Sequence, residues 1–289
     1  MRKLLLWVLP ALLPLAGYSH QHGMNLSIDA DDEVVTDCSQ VKVSFEDAKA
    51  VRAEEEIPAA GLRSLRVRAS EHTGVRVVGW DKSDWSIKAC KAGADAAALN
   101  DIRVSLSGNE LTSKSAGEKA FVYFLIRAPK NAVLDVDATS GPVGLYDANG
   151  TMKLRAQNGP LSVKRSSGTI DATTVNGPIS FAGGRGTVSL NAENGPLSLK
   201  LEGTEWDGSL QASTNNGPLS LKIPHDYRSG VVAEANGHGP VSCKAEACRG
   251  AKRTVTDDDG ESRRIELGSG PAVIHIATHN GPLSIKERN

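Results

Sequence analysis

The sequence predicts an all-β fold: a β-solenoid with short rungs of 18–22 residues, preceded by irregular N-terminal strands. Three observations predict it. A Gly-Pro turn, most often Asn-Gly-Pro, recurs at Gly141, Gly159, Gly177 and Gly195 in steps of 18 residues, at Gly217 and Gly239 in steps of 22, and again at Gly281. Between the turns, apolar and polar residues alternate with the period of two that marks a half-buried strand. Aromatic residues are only 4% of the chain, which suits a narrow interior filled by Leu, Val, Ile, Ala and Thr better than a thick core built around rings.

Along the chain, residues 1–19 read as a secretory leader. Arg2 and Lys3 form its positive end, and residues 4–16 an apolar stretch of 13 residues, too short to span a bilayer. Gly17 and Ser19 offer small residues for cleavage, and Cys38 lies too far on to carry a lipid anchor. Residues 20–60 read as a partly ordered N-terminal segment. Strands are expected at 41–46, 62–69, 74–79, 84–89, 101–106 and 120–128, with turns near Trp80 and at 107–109 and one short helix at 92–99. From residue 61 a single continuous β domain is expected, with regular rungs at 131–244 and 265–289 and an inserted excursion at 245–264.

Each rung has two short strands. Before the turn, Met152, Leu154 and Ala156 share one face, and Lys153, Arg155 and Gln157 the other. The next copies place Ile170, Ala172 and Thr174, then Val188, Leu190 and Ala192, on the same inward side. After the turn, Leu161 and Val163 point in while Ser162 and Lys164 point out. One rung cannot bury its apolar face alone, but stacked rungs form a continuous core. At the turn, Asn tolerates a left-handed backbone and Gly a positive φ, and Pro restrains the preceding residue. Stacking lines up Asn158, Asn176, Asn194, Asn216 and Asn280, whose amides can bond from rung to rung.

The four cysteines, Cys38, Cys90, Cys243 and Cys248, allow three pairings. An exported chain favours disulfides, and the preferred set is Cys38–Cys90, tying the N-terminal segment to the body, with Cys243–Cys248 closing a local loop. No C-x-x-C spacing supports a metal reading. The net charge is −1, and loss of Arg2 and Lys3 with the leader leaves 31 basic against 34 acidic residues, a net of −3. Neither value gives the basic footprint of a nucleic-acid binder.

Little in the chain points to catalysis or a cofactor. The outward acids Asp135, Asp137, Asp171 and Glu193 read as scattered over different rungs and positions, without the converging pair a glycosidase needs. Ser162, Ser180, Ser198, Ser220 and Ser284 recur at one rung position, which marks them as scaffold. His238, His275 and His279 lie near the last turns, but no further ligand is placed by spacing, so no metal is expected. Asp257-Asp258-Asp259-Gly260-Glu261 fails the EF-hand spacing and reads as a polar hairpin tip. One outward feature is consistent: Lys164, Lys200, Lys222, Lys244 and Lys286 follow successive turns, with Ala182 as the gap. Such a stripe could track an anionic polysaccharide, or simply keep a sheet soluble and unfit for edge pairing.

The run Gly74-Val-Arg-Val-Val-Gly-Trp80-Asp81, then Ile126-Arg-Ala-Pro129, the stacked Ser/Asn-Gly turns and the closing Gly268-Ser-Gly-Pro271 to Asn280-Gly281 resemble the bacterial "putative adhesin" domain family of unknown function (DUF4097-like). The resemblance covers roughly residues 60–289. It implies a β-solenoid in the bacterial envelope or outside the cell and carries no functional residues over. Pro follows Gly in most turns here, where that family more often has an acidic residue. The expectation is therefore a non-catalytic exported binding or adhesion surface, periplasmic or extracellular, without cofactor. Its partner would be an anionic polysaccharide or another envelope component. The alternatives are a polysaccharide-active enzyme on the same scaffold and a structural or signalling part of envelope maintenance.

Overall fold

The computed structural model describes residues 24–28, 35–45, 48–114, 117–237, 239–256 and 262–288. The expected leader, His238 and the acidic run 257–261 lie outside the described residues. The chain is all-β, with one short α-helix among the described residues, Ala96–Asn100. The helix expected at 92–99 starts later because Ser86–Gly93 is a strand, with Ile87, Ala89 and Ala92 facing apolar neighbours. Asp95, at the helix N-terminus, caps it by accepting from the amide of Ala98 at 2.8 Å.

Among the described residues, twelve strands form one large sheet and eleven a second. Each rung from residue 133 onward gives its longer strand to the first sheet and its shorter strand to the second. Thr151–Asn158, Thr169–Asn176, Arg185–Asn194 and Asp207–Asn216 follow one another in the first, and Leu161–Lys164, Ile179–Gly183, Leu197–Leu201 and Leu219–Ile223 in the second. Neighbouring strands are parallel and in register, Met152 beside Ile170 and Leu161 beside Ile179. This arrangement is consistent with a β-solenoid. The two sheets face each other across one apolar core, into which a rung sends side chains such as Val188, Leu190, Leu197 and Leu199, all at most 2% exposed. Each such side chain contributes about 1.5–3 kcal/mol by leaving water.

The turn has a different physical basis from the expected one. The ladder asparagines do not have positive φ, and of the corner glycines only Gly141 (141°) and Gly159 (157°) do; Gly177, Gly195, Gly217, Gly239 and Gly281 do not. The opposite corner of the rung has left-handed glycines at Gly168, Gly186 and Gly208 (φ 88°, 111° and 116°). At the Asn-Gly-Pro corner, glycine is required by close approach. A Cβ on Gly195 would stand 2.1 Å from the carbonyl oxygen of Gly177, and one on Gly217 2.1 Å from that of Gly195. The asparagines make a ladder: Asn176, Asn194, Asn216 and Asn280 each donate from Nδ2 to the Oδ1 of the rung below, at 2.9, 3.2, 2.9 and 3.0 Å. Just inside, buried Thr174, Thr214 and Thr278 donate their hydroxyls to the carbonyls of Gly159, Gly195 and Gly217.

Stacking order departs from sequence order at both ends. Ser64–Ala69 and Thr73–Trp80 stack in register on Val133–Ser140 and Val143–Tyr146, so a complete rung precedes residue 131. At the other end, Ala272–Asn280 and Leu283–Glu287, the last rung in the sequence, lie between the rung 207–223 and the earlier strands Gly230–Asn236 and Val241–Cys243. Ser262–Leu267, expected to resume the rungs, instead runs antiparallel to Gly230–Asn236 and pairs with Lys252–Thr256 as a hairpin. Parallel stacking resumes at Ala272.

The disulfides are Cys38–Cys90 and Cys243–Cys248. The first fastens a small antiparallel sheet, built from Met24–Ile28, Val41–Phe45 and Ala48–Lys49, to the body. There Val41, Val43 and Phe45 meet Phe121, Tyr123 and Leu125 in a second, smaller core on the outer face of the second sheet. The second disulfide joins Val241–Cys243 to the 3-10 turn Glu246–Gly250.

The link between rungs, residues 224–229, buries Tyr227 at 5% exposure. Burial pushes its phenol up to about 12, and its hydroxyl stands near Ser229 without hydrogen-bond geometry. An unfolded tyrosine ionises near pH 10. The native state therefore keeps this contribution fully below about pH 10 and loses it as pH rises toward about 12. Tyr227→Phe is expected to move the alkaline unfolding midpoint upward and leave the neutral-pH fold intact, as followed by circular dichroism.

Candidate functional site

The outward face of the second sheet carries two columns beside the stacked prolines. One is Ser162, Ser180, Ser198, Ser220, Ser284 and Ser242; the other is Lys164, Ala182, Lys200, Lys222, Lys286 and Lys244. The spatial order differs from the sequence order, because Lys286 falls between Lys222 and Lys244: the amide of Lys244 bonds the carbonyl of Ile285 at 2.8 Å. Rungs about 4.8 Å apart therefore bring Lys200, Lys222, Lys286 and Lys244 into an unbroken row. Ala182 is the single gap before Lys164.

No acidic residue occupies either column. Lys200, Lys222, Lys244 and Lys286 are exposed, and none forms an ion pair among the described residues. The outward face of the first sheet behaves oppositely. Arg66 pairs with Glu110 and Asp135, Arg68 with Asp135 and Asp137, and Arg155 with Asp135. Arg264 bridges Glu234 at 2.5 Å and Glu266 at 2.7 Å and holds the Glu266 carboxyl below its usual range. Unpaired lysines thus follow one another at the late-rung end of the second sheet, whereas at its other end Lys88 pairs with Glu54 and Lys91 with Glu55.

The outward acids are less scattered than the linear pattern suggests. Asp135 and Asp171 share one register column, with Lys153 between them, and Asp137 lies in the adjacent column beside Arg155. Farther along the same face, a groove of about 290 Å³ is lined by Ser189, Asn191, Gln211, Ser213, Glu234 and His275. Its carboxylate, Glu234, is the one neutralised by Arg264. His275 is exposed, with Nε2 3.1 Å from the carbonyl of Ala272; His279 is also exposed, beside the asparagine ladder.

Arg76 is a buried arginine at the end of the serine column. It sits two strands beyond Ser162 in the serine column, with Gly144 between. It is 7% exposed, with its guanidinium 4.6 Å from the centre of the Tyr146 ring and its Nε donating to the Tyr123 hydroxyl at 3.2 Å. Burial raises the Tyr123 phenol, and the nearby Arg76 charge works against that rise. The signal available in the sequence was a break in pattern, since Arg76 stands where later rungs carry Ser. Tyr146, in the lysine column beside Lys164, also has the Arg165 guanidinium 6.0 Å from its ring centre, and Asp147 pairs with that arginine at 2.8 Å.

No protein-family model matches the chain, and no curated protein matches it. Several solved structures are similar to it, two of them as follows. One, described as a "putative cell adhesion protein" from Clostridium sporogenes, is 11% identical, covers 83% of this chain and 100% of its own, and has a TM-score of 0.34. The other, a "putative adhesin" from Bacteroides fragilis, is 12% identical, covers 83% of this chain and 97% of its own, and has a TM-score of 0.46.

Proposed function

We propose that this chain is an exported β-solenoid that binds extended polyanions, without catalysis, through the lysine and serine columns of its second sheet. The observation that carries the reading is the contrast between the lysine row and the arginine clusters of the first sheet. Four consecutive exposed lysines lack acidic partners among the described residues, while Arg66, Arg68, Arg155 and Arg264 of the other sheet are paired with carboxylates. Isolated exposed charges contribute little to stability. A row of them in columns without acids instead concentrates positive potential, and that potential attracts a linear anion. The adjacent serine hydroxyls both donate and accept, as the hydroxyls of an acidic polysaccharide require. Export, by a leader in residues 1–19 to the envelope or beyond, belongs to the same reading, and the two disulfides support it.

Retention on an acidic-glycan or heparin column tests the proposal. The double substitution Lys200→Glu, Lys222→Glu is expected to weaken binding about ten-fold or more, about 1.4 kcal/mol, and to lower the eluting salt. Lys153→Glu, on the first sheet, should leave elution nearly unchanged. Unchanged retention of the double variant would overturn the reading.

A further inference from the structure

The position of the last rung creates a slot. The chain leaves the rung 207–223, crosses residues 224–229, and builds Gly230–Asn236 and Val241–Cys243 one full rung away rather than against it. The gap is filled only after the hairpin Lys252–Thr256 and Ser262–Leu267, when Ala272–Asn280 and Leu283–Glu287 enter between the two. Every part of this rung is used on both sides. Asn280 donates to Asn216, and Thr278 to the carbonyl of Gly217. On the sheet edge below, the amide of Leu219 bonds the carbonyl of Pro282, while the amide of Leu283 bonds that of Pro240 above. Ile274, Ile276, Leu283 and Ile285 are at most 2% exposed. A Cβ on Gly281 would meet the Gly217 carbonyl at 2.0 Å, and one on Gly239 the Gly281 carbonyl at 2.0 Å. The slot is thus shaped for a strand–Asn-Gly-Pro–strand segment.

We infer that the slot is an interaction surface for a second copy of this chain, which can supply its own last rung in exchange. Exchange would keep every contact of the rung, because donor and acceptor sequences are identical, so beyond the entropy of association the cost falls on the hinge. The hinge is residues 268–271, Gly-Ser-Gly-Pro, which folds back over the start of the strand Gly230–Asn236. Gly268 has φ 88°, and the amides of Ser269 and Gly270 both bond the carbonyl of Arg228 at 3.0 Å. Straightening it gives up those two bonds and the left-handed residue, and Pro271 favours the extended form. Strand insertion of this kind draws its affinity from main-chain bonds and its selectivity from the pockets for alternate side chains. The reading is independent of what the lysine face binds.

Cross-linking between full-length copies tests it. Ser220 and Ser284 are register neighbours on the parallel strands of one copy, at the strand spacing a disulfide can bridge. A Ser220→Cys chain and a Ser284→Cys chain, differently tagged, are mixed in urea with the native disulfides intact, refolded together and oxidised. Exchange is expected to give a covalent heterodimer joined through these two positions, identified by peptide mapping. Ser198→Cys mixed with Ser284→Cys, whose sites are not neighbours, should give none. Recovery of folded chains with no heterodimer above this control overturns the proposal. A second measurement deletes Ser269 and Gly270, which leaves the hinge too short to turn back over its own strand. That variant is expected to elute as a dimer, and a folded monomer would equally overturn the inference.

Discussion

Replacing Gly217 by Ala is expected to destabilise the protein by about 3 kcal/mol, the upper range for forcing extra volume into a packed site. The added Cβ would stand 2.1 Å from the carbonyl oxygen of Gly195, 2.5 Å from its carbon and 3.2 Å from the nitrogen of Pro196. All three are backbone atoms, so no side chain can rotate away. The backbone cannot yield cheaply either. The amide of Gly195 bonds the carbonyl of Asn216, that of Leu197 bonds Pro218, and Asn216 holds Asn194 below and Asn280 above. Moving one corner therefore strains the rungs on both sides. In urea unfolding, the midpoint should fall with little change in slope, since the unfolded surface is unaltered. Gly250→Ala is the matched control: its Cβ would meet nothing within 4 Å, and its φ is not positive. Its effect should stay within about 0.5 kcal/mol. Equal effects of the two substitutions would show that inter-rung approach does not explain the corner glycine.

Removing the Cys38–Cys90 disulfide, as Cys38→Ala with Cys90→Ala, is expected to cost about 4 kcal/mol by loop-closure entropy, since it spans 52 residues. The loss should be local. The disulfide holds the small N-terminal sheet over Phe121, Tyr123 and Leu125, whose core is separate from the one between the large sheets. That core has few residues with which to retain the sheet once the link is gone. Limited proteolysis is expected to cut residues 35–50 first, while the rungs from 133 onward stay protected, which corresponds to sub-global opening. Cys243–Cys248, with a separation of 5 residues, should contribute about 2 kcal/mol on the same basis. Cutting equally fast throughout the double variant would contradict a locally fastened cover.

The repetitive part of the fold was legible because its signals are local. Alternation placed Met152, Leu154, Ala156, Leu161 and Val163 inward, where they are buried. The fixed turn spacing put Asn158, Asn176, Asn194 and Asn216 in one ladder. The reason for glycine at that corner was not legible: positive φ is a property of one residue, whereas the clash that excludes a side chain comes from a carbonyl on the neighbouring rung, 18 or 22 residues earlier at Gly177, Gly195 and Gly217 and 64 earlier at Gly281. The lysine stripe was visible as a spacing, but its order was not. Whether those lysines stand free depended on which acids the other elements bring near. Arg76 gave almost no linear signal, because its burial comes from Tyr123 and Tyr146, far away in the chain.

The sequence by itself determined the strand period, the inward and outward faces, the turn sites and the cysteines available for pairing. All of these follow from interactions spanning a few residues or one repeat. Only the tertiary structure decided the order of stacking. A rung made of alternating Leu and Ser with an Asn-Gly-Pro corner fits equally well beside any other, so the local code is degenerate about neighbours. The choice is made at long range, where residues 224–229 carry the chain past an empty position and residues 268–271 return it. That return places Lys286 between Lys222 and Lys244 and closes the row of charges on which the proposed binding face depends.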